Sequence, residues 1–224
     1  MTSPQRIDER QHDLPNDHSS LSRRLRAETK ELHTAAERSG IMRRLTRGQI
    51  SRVQYVALLE NLAEIYRALE DELRRHRTEP TLSWIDLAAL ARFDHLQHDI
   101  TRLRRPGDPA PSIRPTTHIY VERVTTAGET EPPLLLAHAY VRYLGDLSGG
   151  QILAPIVARA LGDDADDALT FYAFPQIDDA AAFKGEFRGG LDSIADDTVR
   201  DRIVDEAKVG FRLHEELFRE LEQD

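Results

Sequence analysis

Between Tyr55 and Leu73 an apolar side chain falls at every third or fourth position: Tyr55, Leu58, Leu59, Leu62, Ile65, Leu69 and Leu73. That spacing returns each one to the same face of a helix, and a stripe of this length needs other elements to cover it. Nowhere does the chain alternate with period two for long enough to build a sheet. The class is therefore all-α. Ser19 or Ser20 caps a first helix whose apolar face is Leu21, Leu25, Leu32 and Ala36. Pro80 interrupts, a further helix covers about 85–104, and Arg105-Pro-Gly-Asp-Pro-Ala-Pro111 is a loop on composition. A short helix around 114–127 follows, and Pro132-Pro133 open a long segment reaching Gly162. Thr198-Val-Arg-Asp201 has the pattern of a capping box and starts a last helix with Val204, Ala207, Phe211, Leu217 and Leu221 facing inward. Residues 1–18 are polar, carry Pro4 and Pro15, and read as a disordered lead. Residues 19–224 then form one helix-bundle domain without internal repeat.

The 30 Lys and Arg against 39 Asp and Glu give a formal charge of −9, the wrong sign for a nucleic-acid binder. There is no cysteine, which removes disulfides, thiolate metal sites and thiol nucleophiles together. No apolar run approaches the ~20 residues that span a bilayer. The N-terminus has no apolar signal core, and the C-terminal Glu-Leu-Glu-Gln-Asp224 carries no tail anchor. The expectation is a soluble, cytoplasmic protein without a membrane anchor.

One stretch departs from ordinary helical composition: Tyr143-Leu-Gly-Asp-Leu-Ser-Gly-Gly-Gln151. Each glycine in a helix interior costs roughly 0.8–1 kcal/mol relative to Ala, so Gly145, Gly149 and Gly150 together give up about 3 kcal/mol. Bare backbone allows close approach of something flat or bulky. Tight helix–helix contact, or a loop, would use the same residues.

Nine histidines compete for attention. His12 and His18 fall in the polar lead, and His76, His95, His98 and His118 sit near helix ends or on polar faces, where solvation is the default. His95 and His98 are three apart, but no acidic pattern completes a metal site. His33 lies beside the first helix's apolar stripe, in Thr29-Lys-Glu-Leu-His-Thr-Ala-Ala-Glu37. Glu37, one turn on, can accept from its second ring nitrogen, as the partner of a metal-bound His does. A partly buried His satisfied by the same Glu is the plainer alternative. His138 precedes Gly145 by seven residues, on the same helical face but about 10.5 Å along the axis, too far to bind the centre of a ligand seated on the glycines. His214 falls on the buried stripe of the last helix, as a core or network histidine.

Taken together these segments resemble the heme oxygenase family. The glycine stretch, with Ala137-His-Ala-Tyr-Val-Arg142 before it, is similar to that family's distal-helix motif, and the stretch around His33 to its proximal-helix motif. Further similarity covers Ile65–Glu70, Thr130–Pro133, Phe171–Phe187 and Glu206–Phe211, so the resemblance spans roughly residues 19–223 with the motifs in order. It implies heme b, both substrate and cofactor, held between a proximal helix bearing the iron ligand His33 and a kinked, glycine-rich distal helix. Gly145 and Gly149 would leave room for the porphyrin and bound O2, the co-substrate.

The resemblance also implies that oxygen on the iron must attack a meso carbon of the porphyrin itself rather than be split by a distal acid. Asp146 would hold a water network for that step, Arg142 would pair with Asp146 four residues away, and Tyr66 and Tyr120 would join the network. For the tyrosines, core packing with a satisfied hydroxyl is the other possibility. Arg26, Lys30, Tyr140, Lys184 and Arg188 match the propionate contacts, with Glu37 and Phe211 also at the heme. Lys184 and Arg188, one helical turn apart, repel by a few tenths of a kcal/mol unless a carboxylate lies between them. The implied products are biliverdin IXα, CO and ferrous iron, with electrons from a ferredoxin or a flavin-dependent reductase. Val141 and His214 depart from animal members, which carry a hydroxyl residue and an amide there. His214 could reshape the distal network or make it pH-sensitive near the unperturbed imidazole pKa of about 6.5. A heme carrier or sensor with the same pocket is the alternative function. A thiol-dependent hydrolase of similar architecture is ruled out by the absence of cysteine.

Overall fold

A computed structural model describes residues 20–223; the polar lead at 1–18, with His12 and His18, lies outside the described residues. Along the chain come α1 (Leu21–Glu37), α2 (Gly40–Thr46), α3 (Arg52–Arg75), α4 (Leu87–Leu90) and α5 (Phe93–Leu103). After them come α6 (Pro115–Thr130), α7 (Leu135–Ala139), α8 (Gly145–Leu161), α9 (Ala180–Asp192) and α10 (Asp197–Glu220). No strand occurs among the described residues.

The stripe from Tyr55 to Leu73 makes α3 the spine, packed against α5, α6 and α7. A capping box closes its start: the Ser51 hydroxyl accepts from the Gln54 backbone, and the Gln54 side chain accepts from the Ser51 backbone. Each fully buried leucine on the stripe contributes roughly 1.5–3 kcal/mol. Asn61, wholly buried on α3, donates to the carbonyls of Ala57 (2.8 Å) and Ser112 (3.1 Å) and accepts from Arg114 N (2.8 Å) and Thr117 Oγ1 (2.7 Å). Every hydrogen-bonding position of that amide is filled, and the start of α6 is tied to α3. The other pillar is α10, which runs along α1 and also meets α2, α6 and α7.

Four local expectations change. The helix expected over 85–104 is broken into α4 and α5 because the buried Glu70 carboxylate accepts from the backbone N–H groups of Arg92 (2.6 Å) and Phe93 (3.0 Å), starting a new helix there. The last helix is capped not at Thr198 but two residues earlier, by Asp196 accepting from Thr198 N (2.8 Å) and Val199 N (3.2 Å). Helix α2 was not anticipated. It begins at Gly40, with φ +43°, where a Cβ would lie 1.8 Å from the Phe218 carbonyl oxygen of α10. Finally, the segment from Pro132 to Gly162 is not one helix. A 3-10 turn (Pro132–Leu134) leads into α7, and a π-helical turn (Tyr140–Leu144) separates α7 from α8, which Gly162 ends at φ +59°.

No described helix is long and apolar enough to cross a membrane.

Candidate active site

The π turn sets what each half of the α7–α8 segment faces. Fitting one extra residue into the turn rotates everything downstream by roughly 100° relative to an uninterrupted helix. His138 and Gly145 therefore do not share a face, contrary to the spacing. His138 is fully buried toward α10, its Nε2 2.9 Å from Glu206 Oε1. The same carboxylate accepts from Arg123 at both oxygens, from Nε at Oε1 and from Nη2 at Oε2. Burial pushes the Glu206 carboxyl up, but the hydrogen bonds from Arg123 and His138 outweigh it and hold it down at about 2.

Beyond the turn, backbone faces open space. A Cβ built on Gly145 would meet nothing within 4 Å, and one on Gly149 only Leu153 Cδ1 at 3.9 Å. Gly150 is different: its Cβ would come within 3.3 Å of Tyr172, so this third glycine serves helix packing. Across the opening stands α1 with His33. The cleft between them has an outer chamber of about 940 Å³ and an inner one of about 130 Å³, and His33, Val141, Gly145 and Phe211 border both. The outer chamber is of the size that takes a cofactor-sized ligand.

The His33 side chain is half exposed into this cleft rather than buried, with Nδ1 3.6 Å from Glu37 Oε2. Its ring meets the edge of Phe211 at 5.6 Å and 75°, which steadies the imidazole and leaves Nε2 available. At the mouth, Arg26 and Lys30 of α1 face Lys184 and Arg188 of α9 around the outer chamber. Lys184 Nζ donates to Ser148 Oγ at 3.4 Å. Tyr140, the first residue of the π turn, lies between these cations; burial pushes its hydroxyl up, and Thr29, Arg26 and Arg188 pull it back. With Arg23, five cations line this chamber against one carboxylate, Asp192, and form a site for an anionic ligand.

At the inner end is a buried polar cluster. The Arg142 guanidinium donates from Nε to the Tyr66 hydroxyl (3.1 Å), from Nη1 to His214 Nε2, and from Nη2 toward Asp146 Oδ1 (3.5 Å). Asp146 Oδ2 is buried beside the inner chamber without a partner. Burial pushes the Asp146 carboxyl well above the usual carboxylate range. Burial also lowers Arg142, to about 10, so it stays charged. The buried Tyr120 hydroxyl makes no direct hydrogen bond to a protein group, and its ring rests against His138 and His214. His214 is pushed well below the ordinary imidazole value by burial and then by Arg142. Of the two roles open to His214, reshaping the polar cluster fits this site, which disfavours the charged ring.

Some contributors escaped sequence reasoning. Ser148 and Thr29 hold Lys184 and Tyr140, and Met42, Leu58, Leu62, Leu153 and Phe171 wall the inner chamber. Ser148 sits inside the glycine stretch and was findable there; Met42 belongs to the unforeseen α2.

An imidazole opposite bare backbone, a cationic rim and an apolar floor define a helix-bundle protein shaped to clamp a flat, anionic ring. The heme oxygenase family model matches residues 19–220. Heme oxygenase 1 of Nostoc sp. is 38% identical over 206 residues, covering 91% of this chain and 87% of that protein. The heme oxygenase of Leptospira interrogans superposes with a TM-score of 0.83 at 39% identity, covering 90% of this chain and 99% of that one. Heme oxygenase-1 of Synechocystis, solved in complex with heme, gives 0.84 at 36% identity over 91% of this chain and 93% of that one. The chain belongs to the heme oxygenase family.

Proposed function

We propose that this protein binds heme b between α1 and the glycine face of α8 and, with O2 and external reductant, opens the ring to biliverdin IXα, CO and ferrous iron. The observation that carries this reading is His33 standing across a cleft from Gly145 and Gly149, whose Cβ positions face open space. The residues fit the group. A free imidazole nitrogen suits iron, the bare backbone suits a porphyrin face, and the unpartnered Asp146 Oδ2 suits a polar molecule on the iron's other side. Bound there, heme supplies the iron at which O2 is reduced and the meso carbon that is oxidised.

The remaining work belongs to the chain. His33 Nε2 would ligate the iron, and Glu37 would orient the ring from Nδ1. Arg26, Lys30, Lys184 and Arg188, with the Tyr140 hydroxyl, hold the propionates and so fix the in-plane rotation that selects the α-meso carbon. Arg142 holds Asp146 Oδ1, which leaves Oδ2 free beside the inner chamber. Tyr66 fixes Arg142 from one side, and the Tyr120 ring packs on His214. The apolar inner wall would limit water, which leaves proton delivery to the polar cluster of Arg142, Asp146 and His214. A ferredoxin or flavin-dependent reductase supplies electrons, and the chain works in the cytoplasm.

Hemin titration followed by reductant in air tests this. The expected result is a one-to-one Soret-absorbing complex that converts to a broad biliverdin band. Replacing His33→Ala should disable it, and added imidazole should restore it. One-to-one binding without ring opening would sink the oxygenase reading in favour of a carrier or sensor.

A further inference from the structure

We propose that His214 is a positioning residue that holds the Arg142 guanidinium, and through it Asp146, as an uncharged hydrogen-bond acceptor of fixed tautomer. The catalytic consequence rests on the oxygenase reading above; the geometry does not.

A guanidinium carries only donors. Its Nη1 meets His214 Nε2, so that ring nitrogen must present its lone pair. The other nitrogen, Nδ1, lies 3.1 Å from the Gly210 carbonyl one turn back on α10, and a carbonyl can only accept. Nδ1 therefore bears the hydrogen. Neither partner can exchange roles, so a single tautomer satisfies both sides. The ring itself is held by Tyr120 (centroids 5.0 Å apart, 78°) and Phe218 (5.7 Å, 41°). A second proton, on Nε2, would point at a buried cation.

The choice of acceptor matters for what Arg142 can do next. A carboxylate at 214 would neutralise the guanidinium and compete with Asp146 for it. A neutral acceptor fixes direction and leaves the charge for Asp146. Tyr66 on Nε, His214 on Nη1 and Asp146 on Nη2 give three directions from one planar group, which sets both its position and its tilt. Asp146 Oδ1 is then located, and the free Oδ2 is aimed by what holds its twin.

Two measurements test the proposal. In the heme-free protein, imidazole nitrogen NMR should find His214 protonated on Nδ1 and bare on Nε2, unchanged between about pH 6 and 8. An Nε2–H tautomer or an imidazolium in that range would overturn it. In the hemin-loaded protein, His214→Leu removes the acceptor, while His214→Asn offers a neutral amide oxygen. The leucine variant should lose about 10- to 100-fold in kcat, with hemin affinity little changed and more reductant consumed per biliverdin. The asparagine variant should recover most of the loss. Equal losses in both variants, or none in the leucine variant, would refute positioning. If the wild-type protein binds hemin without opening the ring, the oxygenase reading fails by itself. His214 is then judged by its tautomer and by the pH at which the ferric spectrum passes from acid to alkaline form. That pH should shift with leucine and return with asparagine; no shift with leucine refutes the proposal.

Discussion

Adding a methyl group at Gly145 and Gly149 together should stabilise the protein while damaging its site. Both residues lie in α8, and Gly145 has helical torsions (φ −63°, ψ −50°) that alanine adopts without strain. A Cβ at 145 touches nothing, and one at 149 makes an ordinary contact at 3.9 Å. Gly→Ala at such positions gains about 0.4–1 kcal/mol each. The double variant should gain about 1–2 kcal/mol, or roughly 2–8 °C in melting midpoint for a domain of this size. Both methyls project toward the heme face, where overpacking costs about 1–3 kcal/mol. That is roughly a 5- to 150-fold rise in Kd for hemin. The assay is thermal unfolding without ligand and again along a hemin titration, since hemin stabilises only in proportion to its affinity. Gly150→Ala is the control: it meets Tyr172 at 3.3 Å and should not show the gain. A lowered ligand-free midpoint in the double variant would refute the reasoning, because it would mean these glycines serve packing or bending rather than a guest.

Gly40→Ala should cost about 3 kcal/mol or more, since it combines a positive φ with overlap on the Phe218 backbone; denaturant midpoints measure it. Gly190→Ala would drive a methyl into the Trp84 indole, 2.4 Å away, and should show as a changed tryptophan emission along with lost stability. Glu206 makes a pH prediction. Its folded value, about 2, lies below the ordinary 4.5, and at 1.36 kcal/mol per pKa unit this is worth on the order of 3 kcal/mol. That stability is fully present above pH 4.5 and is lost as pH falls through about 2. Urea unfolding from pH 7 to about 3 should therefore fall more steeply for the wild type than for Glu206→Gln, and parallel curves would contradict it.

What the sequence disclosed depended on where the controlling partner lay. The spine α3 was readable because its apolar stripe is local. The glycine stretch stood out because it breaks a local preference at a cost, and His33 because it lies beside an apolar stripe with Glu37 one turn on. The split between α4 and α5 was hidden because its cause is Glu70, more than twenty residues earlier in the chain. Helix α2 was hidden because Gly40 answers to a carbonyl on α10. His138 was assigned the wrong face by counting residues on a regular helix, and only the π turn corrects the count. The rim residues were legible through resemblance, whereas Arg142's three-way hold and the packing of Tyr120 on His214 depend on contacts between distant helices.

The five residues Tyr140–Leu144 act as a phase shifter between two rigid shafts. Upstream, α7 is keyed to the interior by His138; downstream, α8 is keyed to the cleft by its glycines. No single side chain carries this relation; it resides in the number of residues. Shortening the turn by one would leave a sound α-helix and most of the core, yet swing Asp146 and both open glycines away from His33 together. For this protein, length at that joint is as much a part of the active site as any side chain in it.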